Sequence, residues 1–306
     1  MSDLPTGKII GLPNDEYHAC EAISHSKLEK FRERASRYYR LYVSHQAEKE
    51  DKDCYDEGNA AHTLILEGDA EYAKHYAVMP EGLRRGTKAF DAFTASAPSG
   101  STMLTANQDK LSHSLRDSVR RHAVATAILS DPGFIPEVTW RVKLYNGIYI
   151  QCRTDGFIEH ITEATAKAIV GMHAVEGQTI IADLKSCGTL NEDEQGSFQK
   201  AIENYGYHRQ EAWYRMIVSE VLGRQPDHFI FIAPEKSEPF ETLVGALPPD
   251  AVQIGVDENL ESFRALVQCF RSGCWDGVAQ GHIVQIDLPE WYKKKADARR
   301  ALNESL

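Results

Sequence analysis

One stretch, EVTWRVKLYNGIYIQCRTDGFI, constrains the fold more than any other part of the chain. Two runs of alternating β-branched, aromatic and polar residues flank Asn146-Gly147, the dipeptide best suited to a tight type I′ turn. The stretch therefore reads as a β-hairpin. A two-residue turn opposes Tyr145 to Ile148. On that register Val138, Trp140, Val142 and Leu144 share a face with Tyr149, Gln151, Arg153 and Asp155. Asp155 then ends a strand beside an apolar set, while Glu137 falls on the opposite face unless a bulge intervenes. Glu159 becomes a candidate if the hairpin folds differently.

Helical periodicities surround the hairpin. In ISHSKLEKFRERASRYYRLYV, Leu28, Phe31, Ala35, Tyr38 and Tyr42 recur at three- and four-residue steps, and Ser24 or Ser26 can cap the helix. GNAAHTLILEG reads as a short helix with His62 inside its apolar segment, where a histidine alone is more readily a core residue than a ligand. Residues 80–110 read as an irregular surface stretch. The helix after it, through Leu111, Leu115, Val119, Ala123 and Ala127, stops at Asp131-Pro132-Gly133. Residues 161–177 look like a short helix and loop.

The strand TIIADLKS follows, with Asp183 and Lys185 pointing the same way and Leu184 the opposite way. A long helix, FQKAIENYGYHRQEAWYRMIVSEVLG, places Tyr207, Gln210 and Tyr214 near one face. Its expected buried set includes Phe198, Tyr205, Ala212, Met216 and Ile217. HFIFIAPE reads as a central strand, ETLVGALP as an edge strand or loop, and NLESFRALVQCFRSG as a helix. This order predicts an α/β fold, a central mixed β-sheet flanked by helices. No linker divides it, so 1–306 reads as one domain. Its parts are a mostly helical 1–130, an α/β core over 134–290 and a tail over 291–306.

Composition limits the partners. Lys+Arg 34 against Asp+Glu 45 gives a net charge of -11, which excludes a uniformly basic coat but not a local basic groove. Three basic groups, Lys27–Arg40, Arg84–Lys88 and Arg116–Arg121, could supply one. The six cysteines include no C-x-x-C and read as reduced thiols. Neither a signal peptide nor an apolar run of about 20 residues is visible, so a cytoplasmic protein is expected.

Asp155 and Asp183 end adjacent apolar strands. Converging carboxylates are hard oxygen ligands that suit Mg²⁺, with Mn²⁺ as a substitute. A lysine two residues along the same strand can orient an attacking water or stabilise charge. A D-x-K triplet alone is weak evidence. Joined to an upstream strand-end Asp, a helical His and a downstream Q-x-x-x-Y, it is far more specific.

That combination resembles the PD-(D/E)xK nuclease superfamily and, within it, the C-terminal nuclease domain of exodeoxyribonuclease VIII, the RecE type of phages and prophages. ISHSKLEKF, GNAAHTLILEG, QCRTDG, IIADLKSCGTL, FQKAIENYGYHRQEAWY and LPEW carry the resemblance over nearly the whole chain. It implies a restriction-endonuclease-like core. It also implies that His62, Asp155, Asp183 and the Leu184 carbonyl hold metal, that Lys185 manages the attacking water, and that Gln210 and Tyr214 hold DNA. The implied activity is Mg²⁺-dependent 5′-to-3′ digestion of linear double-stranded DNA, leaving 3′ strands for a RecT-like single-strand annealing protein. A homo-oligomer is implied too, a ring being one arrangement. An endonuclease using the same site, or a non-catalytic DNA-binding recombination protein, are the other readings. One departure stands out: Asp155 and Asp183 are 28 residues apart, farther than is usual, and the 161–177 insert must loop out between them.

Overall fold

The computed structural model of the chain describes residues 3–46, 53–188, 190, 197–279 and 282–304. Its strands are β1 (Gly7–Ile9), β2 (Tyr76–Val78), β3 (Thr102–Leu104), β4 (Phe134–Lys143), β5 (Tyr149–Ile158), β6 (Ile180–Leu184), β7 (His228–Pro234) and β8 (Thr242–Gly245). Six of them form one mixed sheet in the order β1-β4-β5-β6-β7-β8, antiparallel except for the parallel pair β6 and β7. The remaining two, β2 and β3, pair in parallel by themselves. Residues 80–110 are thus more ordered than their composition suggests, with one strand, one whole helix and the start of a second.

The helices are α1 (Asn14–Ala19), α2 (His25–Glu33), α3 (Ala35–Tyr38), α4 (Asp53–Leu66), α5 (Asp69–His75), α6 (Lys88–Ser96), α7 (Ala106–Arg121), α8 (Ala123–Leu129), α9 (Glu163–Ala168), α10 (Ser197–Tyr205), α11 (Tyr207–Leu222), α12 (Pro249–Ser272) and α13 (Glu290–Glu304). Ser24 caps α2 by accepting from Lys27 N–H at 3.3 Å. The long helices expected from periodicity are each broken once. Arg34 is extended and ends α2, His122 separates α7 from α8, and Gly206, left-handed at φ 67°, separates α10 from α11.

Both faces of the sheet are covered. On one, Leu28, Phe31 and Tyr38 join Trp140, Cys152, Phe231, Trp213, Ile217 and Leu266, so α2, α11 and α12 pack over β4, β5 and β7. On the other, Ala125, Ile128 and Ala166 of α8 and α9 meet Ile158, Ala182, Ile230 and Ile232. A third group, Ala60, Leu64, Tyr72 and Leu104, fixes α4 against α5 and β3. The fold is α/β with a central mixed sheet flanked by helices, consistent with a restriction-endonuclease-like core. Tyr205 and Met216, expected in the core, are exposed, and Trp213 takes their place. The Trp213 indole N–H donates to Gln151 O at 3.1 Å and ties α11 to β5.

The hairpin register differs by one residue from that of a two-residue turn. Trp140 opposes Cys152, and Leu144 N–H donates to Ile148 O at 2.8 Å. The loop is therefore Tyr145-Asn146-Gly147, with the left-handed conformation at Gly147 (φ 81°) closing it. A one-residue shift moves every side chain to the other face. Val138, Trp140 and Val142 now share theirs with Thr154, Cys152 and Ile150, leaving the opposite face to Arg141, Gln151, Arg153 and Asp155. No disulfide joins the described cysteines. Among the described residues no helix is long and apolar enough to cross a membrane.

Candidate metal centre

Strand β5 changes partner along its length. Its first half exchanges hydrogen bonds with Ile23, which donates to Tyr149 O at 2.8 Å and accepts from Gln151 N–H at 2.9 Å. Its last residues, Gly156–Ile158, pair with β6. Between them β5 and β6 part, and Asp155 lies at the parting. The Leu184 N–H, which a continued ladder would bond to backbone, donates instead to Asp155 Oδ2 at 2.7 Å. Lys185 N–H is taken by Ile232 O of β7 at 2.9 Å. Strand geometry therefore sends the Leu184 carbonyl to the other side, toward the same gap.

Three chain segments bring acid and imidazole together there. His62, on α4, places Nε2 3.0 Å from Asp155 Oδ2 and Nδ1 3.3 Å from Glu137 Oε1. Ligand atoms of His62, Glu137 and Asp155 all lie within 4.8 Å of one another. Glu137 adopts a left-handed backbone (φ 54°) and drops out of the β4–β5 pairing between Pro136 and Val138. Such a conformation costs a non-glycine residue roughly 1–2 kcal/mol, a strain typical of functional positions. Arg153 Nη1 stands 3.9 Å from its second oxygen.

Asp183 and Lys185 form the adjoining half of the site. Asp183 is wholly buried, and its Oδ1 accepts from Gln210 Nε2 at 2.9 Å. Its Oδ2 lies 2.6 Å from Lys185 Nζ and makes no well-formed hydrogen bond. Lys185 Nζ is 3.9 Å from Asp155 Oδ2 and 5.4 Å from the centre of the Tyr207 ring. The ring of Tyr214 meets Phe229 edge-on at 6.3 Å. Burial, with Tyr17, Asp183 and Asp155 nearby, pushes the Tyr214 hydroxyl well above its ordinary range.

Burial and mutual charge shift every titratable group of the cluster. Burial alone would lower the pKa of His62, but Asp155 and Glu137 outweigh it and hold the imidazolium to about 9. Burial would likewise raise Asp155, yet His62, Lys185 and the Leu184 N–H bring it down to about 2. Glu137 goes the other way, to about 7, because burial and the Asp155 charge exceed the pull of His62. Burial and Asp155 also push Asp183 up, against the pull of Lys185. Glu137 and Asp183 are thus pushed above the ordinary carboxylate range beside a histidine pushed above the ordinary imidazole range. The His62, Glu137 and Asp155 set can coordinate a divalent metal ion, and its oxygen-rich donors suit a hard one. The Asp183 oxygen without a formed hydrogen bond adds a further donor at the edge.

His62, Asp155, Asp183, Lys185 and Gln210 meet within this one region, but their grouping differs from the expected one. Glu137 stands with His62 and Asp155, and Asp183 turns to Lys185 and Gln210. Glu159 is elsewhere, paired with Lys8 at 2.9 Å. The basic groups are partly engaged internally. Lys27 is buried on the carbonyls of Cys20 and Ala22, Arg37 meets Glu33, and Arg116 meets Asp69. Arg84, Lys88 and Arg120 are exposed.

Residues 24–281 match the PDDEXK-like domain of unknown function (DUF3799). The chain belongs to this family. It is a PD-(D/E)xK-like nuclease superfamily domain, and its metal triad is consistent with metal-assisted catalysis on DNA. Among solved structures it is similar to a protein from Eubacterium rectale provisionally named an exonuclease, with a TM-score of 0.60 and 13% identity over 92% of this chain and 97% of that one. At that identity the likeness is one of fold. No curated protein matches the chain.

Proposed function

We propose that the protein is a Mg²⁺-dependent exodeoxyribonuclease that digests linear double-stranded DNA, 5′ to 3′, and leaves 3′ single strands. The observation that carries this reading is the meeting of His62, Glu137 and Asp155 with the Asp183, Lys185 and Gln210 group where β5 and β6 part. His62, Glu137 and Asp155 would hold the ion, with Asp183 and the Leu184 carbonyl at its edge. The ion, when bound, supplies a Lewis acid for the phosphate and an acidified water.

The chain's own residues do the rest. Asp183 holds the Lys185 ammonium beside Asp155, where it can orient the attacking water and offset charge developing on the phosphate oxygens. Gln210 fixes the Asp183 carboxylate, so that this ammonium points one way. Tyr214 offers a hydroxyl from the same helix to the DNA backbone. Exposed Arg84 and Lys88 would supply phosphate contacts on an otherwise acidic protein. A RecT-like annealing protein is the partner this product would serve, in a RecE-type arrangement.

The test uses end-labelled linear duplex and covalently closed circular DNA, each with Mg²⁺ and with EDTA. Mononucleotide release from the linear substrate alone, abolished by EDTA, is expected. Cutting of closed circles would assign the site to an endonuclease, and full activity in EDTA would remove the metal from the reaction.

A further inference from the structure

Residues 3–23 precede the stretch that matches the family domain, yet they are fastened to the strands that carry the metal centre. Outside β1, carbonyls of this segment are met by side chains of the β4–β5 hairpin. Arg141 Nη1 donates to Pro5 O at 3.2 Å, Gln151 Nε2 to Tyr17 O at 2.9 Å and Arg153 Nη2 to Leu12 O at 2.8 Å. Backbone that leaves a sheet needs partners of this kind. Arg141 and Gln151 also bond each other, Arg141 Nε and Nη2 donating to Gln151 Oε1 at 3.0 Å and 2.8 Å. Arg153 differs, because its remaining contacts lead to the metal centre.

Arg153 lies opposite Thr139 in the β4–β5 ladder, and its Nε donates to Thr139 Oγ1 at 3.0 Å. Its Nη1 donates to Asn14 Oδ1 at 3.4 Å and stands 3.9 Å from Glu137 Oε2. The guanidinium lies over the Tyr17 ring, 4.3 Å from its centre. Thr139, Leu12, Asn14 and Tyr17 thus hold the planar fork in one direction. With these contacts made and only 10% of the side chain exposed, Arg153 is not free to take a phosphate. Glu137 is drawn from two sides, its Oε1 lying 3.3 Å from His62 Nδ1 and its Oε2 facing Arg153. Its left-handed backbone takes it out of the strand pairing, so the ladder does not fix the carboxylate. Its neighbours must do so.

We propose that Arg153 is a positioning residue of the metal centre: anchored by the N-terminal segment, it holds Glu137 with Oε1 turned to the ion and Oε2 turned away. The inference rests on the reading of His62, Glu137 and Asp155 as the metal-holding set, and on no particular DNA substrate. An arginine here has two opposed effects. Its charge alone repels a cation and weakens binding, whereas the orientation it imposes on a ligand strengthens it. Orientation is the larger effect where the ligand's own strand gives it no support, as at Glu137.

The test is calorimetric titration of Mn²⁺ alone into the full chain and into its R153K, R153Q, E137Q and E137Q/R153K variants, with a melting curve for each. R153K keeps the charge but cannot reach Thr139, Leu12 and Asn14 together. Both R153K and R153Q should bind Mn²⁺ at least about tenfold more weakly than the parent. E137Q/R153K should bind no more weakly than E137Q, because the arginine acts only through that carboxylate. Parental affinity in R153K overturns the proposal, and so does tighter binding in R153Q, the result expected of charge alone. A double variant weaker than E137Q by the full R153K factor also overturns it, by giving Arg153 a route that bypasses Glu137. Loss of the melting transition in both Arg153 variants would assign the residue to the scaffold alone. A parent that binds no Mn²⁺ removes the metal reading and this inference with it, a result distinct from those in which parent and E137Q differ.

Discussion

Helix α11 faces two polar clusters from adjacent residues, and they are built on opposite principles. Arg209 enters a network in which each charge meets its opposite. Its Nε and Nη2 donate to Glu29 at 3.0 Å each, its Nη1 donates to Glu258 at 3.0 Å, and Arg32 joins Glu29 to Asn259. Burial pushes Glu29 up, but His25 and Arg209 outweigh it and hold the carboxyl at about 2. Gln210, one residue on, reaches a cluster where acids crowd together. Glu137 there is pushed up to about 7 by burial and the Asp155 charge. The first cluster fastens α2, α11 and α12 together. The second offers donor atoms for a further cation, and that difference separates scaffold from candidate site more sharply than residue type does.

Breaking the site should give the largest effect. Lys185→Ala removes the ammonium but none of the three clustered donors, so single-turnover cleavage should fall by roughly 10³-fold while Mn²⁺ binding stays measurable by calorimetry. Asp155→Asn should remove both. Equal loss of metal affinity in the two variants would show that Lys185 belongs to the metal set. Glu137→Gln sharpens the same division. If Glu137 is a ligand, Mn²⁺ affinity should fall by about 10–100-fold, and cleavage with it. Unchanged affinity would return it to the role of a strained strand residue.

The scaffold cluster should respond in stability and not in metal binding. Glu29→Gln should cost on the order of 2 kcal/mol, less than a fully buried pair because Glu29 keeps some water, with Mn²⁺ affinity unaltered. Glu29 should depend on pH in the opposite direction from Glu137 and His62, whereas Asp155, held down to about 2, follows Glu29. Glu29 has its folded pKa lowered to about 2, so its contribution is present above the unfolded value of 4.5 and is lost as pH falls through 2. Glu137 and His62 have theirs raised, to about 7 and about 9. Their contribution is present in acid and lost as pH rises through those values. The rise in Tm on adding Mn²⁺ should therefore grow between pH 6 and pH 9, as metal replaces the protons. Melting curves at both pH values, with and without the ion, check it.

The sheet, the helices on both sides and the site region are legible in the sequence because hydrophobic period and strand-end charge are local signals. The register of the hairpin is not. Asn146-Gly147 fits a two-residue turn or the last two positions of a three-residue loop equally well, and a single residue decides which face Glu137 joins. The left-handed backbone at Glu137 has no sequence signature, since glutamate has no preference for it. The broken helices at Arg34 and His122 are hidden for a related reason. Apolar period continues across both breaks, and at the second His122 caps α8 by accepting from Ala125 N–H, a role that histidine does not announce in sequence. Tyr205 and Met216 fall outside the core expected for them because Gly206 resets the helical phase between α10 and α11.

The smallest of the expected effects bears on Tyr214, for which packing and the proposed role in DNA contact compete. Its ring packs edge-on to Phe229 within the principal core, so truncation to alanine would leave a cavity and mix the two roles. Tyr214→Phe keeps the ring and removes only the hydroxyl. That hydroxyl lies near enough to Asp155 and Asp183 to be pushed up by their charges, which is where a scissile phosphate would sit. A hydrogen bond made to phosphate in the transition state should be worth about tenfold in rate, with stability within about 1 kcal/mol of the parent. A purely packing tyrosine predicts parental cleavage, and if the Tyr214→Phe variant cleaves at that rate, Tyr214 belongs with Arg209 and the scaffold half of α11. A fall in rate without a fall in Tm places it with Gln210, and the division between the two clusters then runs along the helix itself.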